Sequence, residues 1–123
     1  MLAKQWIMMG SISGFFAVVL GAFGGHVLKS ILSEKAFSIY LIGVQYQMYH
    51  ALALILLGLW ASQNGGAGTL YPGWAFMIGI MAFSGSLYAL ALTDLKFLGM
   101  ITPLGGFCFL AGWIGFPITA WKA

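Results

Sequence analysis

The sequence predicts an all-α membrane protein, a four-transmembrane-helix antiparallel bundle. Three observations predict it. Only 6% of the 123 residues are charged, against about a quarter in a soluble domain. Hydrophobic residues make up 62% of the chain, and the mean hydropathy is +1.00. These residues gather into four apolar stretches, each long enough for a span of about 20 residues. Five lysines and two acids are too few to cover a water-facing surface.

The spans fall near 6–27, 40–61, 72–92 and 102–120, and residues 1–123 read as one membrane domain. The first stretch follows Lys4, as a signal peptide would. Its apolar run is longer than the usual core of about 7–15 residues, so it reads as a retained span. Gly10, Gly14, Ala17, Gly21 and Gly25 recur along it at helical spacing. Lipid supplies no hydrophobic drive to helix pairing, so close backbone approach along small residues takes its place. The third span repeats the device with Ala75, Gly79, Ala82, Ser86, Ala89 and Thr93. The fourth does so with Gly105, Cys108, Gly112, Gly115 and Thr119.

The connections hold most of the charge. Lys29, Glu34 and Lys35 lie between spans one and two, where Ser33 caps a short interfacial turn. The stretch Ser62–Thr69 is uncharged and glycine-rich, a flexible turn. Asp94 and Lys96 precede an apolar link at Phe97–Ile101, and Thr102-Pro103 reads as N-cap and first residue of the last helix. Pro117 is expected to bend or fray its end. Trp6, Trp60, Tyr71, Trp74, Trp113 and Trp121 fall mostly near span ends, as interfacial aromatics do.

The second span carries the informative anomaly, Gly43-Val-Gln-Tyr-Gln-Met-Tyr-His50. Polar side chains inside a bilayer are costly and need partners. With alternating spans, His26, Gln45, Gln47, His50, Ser84, Ser86, Tyr88 and Thr102 fall in the same half of the membrane. The other half is nearly free of strong polar groups. A one-leaflet polar cluster or pocket follows. Gly43, Tyr46, Gln47 and His50 share one helix face, and Gln45 and Tyr49 another. In the third span Ser86 lies opposite Ser84 and Tyr88. Helices with two purposeful faces are either sandwiched or meet a second copy, so a homo-oligomer is expected.

Several classes are excluded. The net charge is +3, but arginine is absent and no basic stripe exists, so nucleic acid is not a partner. Cys108 has no disulfide partner within the chain. Two histidines without nearby Cys, Asp or Glu make a poor metal site. Ser84-Gly-Ser86 lacks a general base at any readable spacing. The expectation is a non-enzyme without cofactors. No acid lies mid-span, which weakens a proton-coupled exporter.

Four motifs occur in order: Gly21-Ala-Phe-Gly-Gly-His26, Gly43–His50, Phe83-Ser-Gly-Ser-Leu-Tyr88, and Ile101-Thr-Pro-Leu-Gly-Gly106 with Ala111-Gly-Trp113. Together they resemble the small bacterial inner-membrane proteins of the YgdD/YwdK type, a domain-of-unknown-function family with mitochondrial relatives. One departure is Gly25, where the family usually has Ala. The resemblance implies four membrane helices in the bacterial plasma membrane, and it leans toward cytoplasmic termini. It supplies no activity and no catalytic residues. Two classes stay open: a structural component that binds a lipid, small molecule or partner, and a small oligomeric transporter or channel lined by His50 and Gln47.

Overall fold

Polar residues set where the helices begin and end. In the computed structural model, which describes residues 2–122, Ser33 accepts the Ala36 N–H at 3.1 Å and opens the longest helix. Gly65, at φ 91°, closes it, a conformation that costs glycine little. Asp94 ends the third helix at φ 59°; its short polar side chain tolerates the left-handed region. The four helices are α1 (Leu2–Leu28), α2 (Glu34–Asn64), α3 (Ala67–Thr93) and α4 (Lys96–Lys122). No strand occurs among the described residues. The result is the all-α, four-span antiparallel bundle that hydropathy predicts.

The helices outrun the apolar stretches. The 31 residues of α2 span about 46 Å at 1.5 Å per residue, against a hydrocarbon core of about 30 Å. Ser33 therefore caps the membrane helix itself rather than a separate interfacial turn. The expected cap at Thr102 is also corrected. Phe97–Ile101 is no irregular link: a 3₁₀ turn over Lys96–Met100 leads into α-helix at Ile101. Pro103 sits in the first α turn, where its missing N–H leaves no gap. Likewise Ala67–Thr69 form a 3₁₀ turn that starts α3. Helix α4 continues past Pro117 to Lys122.

Helices α2 and α3 make the centre, with α1 packed along α2 and α4 along α3. The glycine stripes explain this order. A Cβ on Gly10 would lie 2.7 Å from the Ala51 carbonyl oxygen, and one on Gly21 would lie 2.9 Å from Val44. On α4, Gly105 backs onto the Phe83 backbone and Gly112 onto the Phe76 ring. Trp6 departs from the interfacial expectation. It is 1% exposed and fills a slot over Gly73, where any Cβ would strike the indole. Its Nε1 donates to Thr69 Oγ1 at 2.9 Å. That pair, with Thr119 donating to the Gly68 carbonyl at 2.7 Å, puts polar contacts at the end of the bundle expected to lack them.

Two helices contain a π-helical turn, Val19–Gly24 in α1 and Ile80–Ser84 in α3. Each inserts one extra residue per turn and loosens the carbonyl ladder. The Tyr40 hydroxyl donates to the Leu20 carbonyl inside the first, and Gly24 leaves room for that hydroxyl. Ser84, in the second, reaches across to α2.

Candidate functional site

All five lysines and both acids are exposed, so the interior is built from neutral polar groups. Gln47 stands at their centre, 6% exposed. Its Nε2 donates to the Ser13 carbonyl of α1 at 2.8 Å, and its Oε1 accepts from the Tyr88 hydroxyl of α3 at 2.6 Å. One amide thus ties three helices together. Four residues earlier on the same face of α2, the Gly43 carbonyl accepts from Ser84 Oγ at 2.7 Å. Gly43 has no side chain because the Tyr88 ring occupies that space; a Cβ would lie 2.7 Å from it. Tyr40 packs on Tyr88 with ring centroids 5.5 Å apart.

His50 forms a second site one turn on. Its Nδ1 lies 2.7 Å from the Tyr46 carbonyl, an acceptor. Its Nε2 lies 3.0 Å from the Trp113 indole N–H, which can only donate. The two partners together fix the neutral imidazole with its proton on Nδ1. The ring stacks on Phe109 at 3.5 Å and 7°, and Phe76 and Trp113 close its edges. Beside it an open groove of about 410 Å³ is lined by Tyr46, Tyr49, Phe83, Phe109 and Trp113.

A third pair links α3 to α4. Ser86 Oγ donates to the Phe83 carbonyl at 2.9 Å and lies 2.6 Å from Thr102 Oγ1. Helix α3 is therefore sandwiched: Ser84 and Tyr88 face α2, and Ser86 faces α4. Among the described residues, the buried side-chain polar atom without a partner is Ser13 Oγ.

Not every expected residue joins. His26 is exposed near the end of α1, apart from Gln47 and His50. Gln45 is exposed on the outer face of α2 and borders a separate groove with Lys29 and Glu34. Helical phase explains Gln45, since two residues' turn carries it away from the Gln47 face. Tyr46 contributes its carbonyl and ring, not its hydroxyl. Sequence reasoning missed Ser13, Tyr40 and Trp113. Trp113 was readable as a lone N–H donor at the height of His50; Ser13 acts through its backbone, which leaves no residue-type signal.

A family described as "Protein of unknown function (DUF423)" matches residues 20–106. The chain belongs to the DUF423 family. The UPF0382 membrane protein YwdK of Bacillus subtilis is 43% identical over 120 residues, 97% of this chain and 98% of that one. A UPF0382 membrane protein of Haemophilus influenzae is 40% identical, covering 98% and 96%. One of Staphylococcus epidermidis is 44% identical over 119 residues, covering 97% of each. These relatives agree with the motif resemblance and make the DUF423 chain a multi-pass membrane protein. No solved structure matches it. The DUF423 match includes Gln47, His50, Ser84 and Tyr88 and stops before Trp113.

Proposed function

We propose that this protein is a non-enzymatic component of the bacterial plasma membrane that works by binding at its outer, lipid-facing surface. The observation that carries this reading is the closure of its interior. Gln47, Tyr88, Ser84, Ser86, Thr102 and His50 each spend their donors and acceptors on neighbouring helices. A transport path needs polar groups free to exchange partners with its cargo; here they act as interhelical pins. The groove beside His50 opens sideways and is walled mainly by aromatic rings.

Self-association belongs to the same reading. Tyr46 and Tyr49 lie near the middle of α2 and are 38% and 54% exposed. Their hydroxyls have no partner among the described residues, and an unpaired hydroxyl in hydrocarbon costs several kcal/mol, on the order of 4–8 on an alkane scale. A second copy would supply acceptors. Both termini are assigned to the cytoplasmic side, following the charge lean of the family.

Reconstitution in liposomes tests the binding reading. Proton and potassium flux should match protein-free vesicles, and His50→Ala should lower the melting temperature without opening a leak. Flux that needs His50 and Gln47 would instead favour the channel reading. For self-association, Tyr49→Cys should crosslink to itself in membranes; exclusive monomer in mild detergent, with no crosslink, would count against it.

A further inference from the structure

An open groove lies at the opposite end from the chain termini, between the end of α1 and the outer face of α2. Its volume is about 590 Å³, and Lys29, Glu34, Ser38, Leu41, Ile42 and Gln45 are among its walls. Glu34, Ser38, Leu41, Ile42 and Gln45 follow one another by three, four or one residues, so they form one continuous stripe down α2. Lys29, just past the end of α1, lines the same groove. The stripe changes character with depth: two opposite charges, then a hydroxyl, then apolar side chains, with one amide about 16 Å below Glu34 at helical rise.

Two features call for an external partner. Lys29 and Glu34 line the same cavity yet form no ion pair among the described residues. Gln45 lies well inside the length of α2 expected to meet hydrocarbon, and its exposed amide has no partner among the described residues. An isolated amide there is costly. An anion alone would satisfy Lys29 and be repelled by Glu34. A soluble zwitterion would satisfy both charges but leave Gln45 and the apolar stripe untouched.

We infer that this cavity holds a zwitterionic phospholipid of the phosphatidylethanolamine class. Its phosphate takes the Lys29 ammonium, its primary ammonium donates to the Glu34 carboxylate, and Ser38 lies at the glycerol level. An ester carbonyl accepts from the Gln45 amide, and an acyl chain runs along Leu41 and Ile42. The assignment rests on the surface-binding reading above and gives that surface a ligand. Phosphatidylcholine carries the same charges but has no N–H for Glu34, and phosphatidylglycerol has no cation at all.

The test uses the full chain in nanodiscs containing phosphatidylethanolamine, phosphatidylcholine or phosphatidylglycerol, with bound lipid counted by native mass spectrometry and melting followed in parallel. Phosphatidylethanolamine should be retained about 1.5- to five-fold over phosphatidylglycerol, the range an exposed ion pair supplies. Glu34→Gln should abolish that preference, and Lys29→Gln should weaken both lipids. Lys96→Gln, outside this cavity, should leave the ratio unchanged. Soluble glycerophosphoethanolamine should not shift the melting temperature. Equal retention of the two lipids, or a preference that survives Glu34→Gln, overturns the headgroup assignment while leaving surface binding intact. Stabilisation by the soluble headgroup alone would overturn the lipid as the source. Failure of every lipid to stabilise the protein would count against the binding reading itself.

Discussion

Gln47 is held by two partners that are themselves fixed, so removing it strands both. Gln47→Leu leaves the Tyr88 hydroxyl buried and without the acceptor it now uses. Losing such a bond costs about 1–2 kcal/mol, and membrane interhelical bonds fall at or below that range. The variant should melt several degrees lower in detergent, and an unchanged midpoint would remove Gln47 from the structural account. His50 differs because it also fills volume. His50→Ala empties a ring slot against Phe109 and should cost about 2–4 kcal/mol, as large-to-small core changes do. His50→Phe restores the stack but not the Trp113 bond, so it should recover most of that loss. Trp113 fluorescence should report the difference, since only the parent engages the indole N–H. Hydropathy and helical phase made Gln47 and His50 legible as buried polar residues. They could not reveal that Trp113 lies within 3.0 Å of His50, because that depends on how α4 is rotated against α2.

At the scale of elements, the glycines divide into those that touch a neighbour and those that do not. A Cβ on Gly105 would run into the backbone of Phe83, which cannot swing aside. Gly105→Ala should force α4 away from α3 and cost about 1–3 kcal/mol. Gly85 has open space around its missing Cβ and ordinary helical angles, φ −60° and ψ −44°. Gly85→Ala should therefore raise stability by about 0.5–1 kcal/mol through backbone entropy alone. Thermal denaturation of the two variants side by side checks both signs. The spacing of the small residues identified these helix faces in advance. The burial of Trp6 was not readable, because the slot that receives it belongs to Gly73, a residue outside the regular stripe of α3.

Across the whole molecule, the two central helices carry most of the interhelical hydrogen bonds and the outer two pack against them. Over the most apolar stretch of each helix, 44% of α2 and 39% of α3 is buried, against 17% of α1 and of α4. The flanking helices therefore present most of their surface to lipid or to another protein. The four apolar stretches made the number of spans plain, and seven charges are too few to cover a water-facing surface. They could not give the spans' lateral order, which is set by which glycine meets which ring.

The π-helical turn at Val19–Gly24 lies between the Trp6 slot and the tail of α1. Deleting one residue there would convert it to ordinary helix without losing a span. It would leave the leading half of α1 turned and placed nearly as before, because the π turn is what accommodates that one extra residue. Trp6 would then keep its seat over Gly73, while Tyr40 would lose the loosened Leu20 carbonyl. A single missing codon would thus spare the distant key and undo only the polar anchor beside the missing residue.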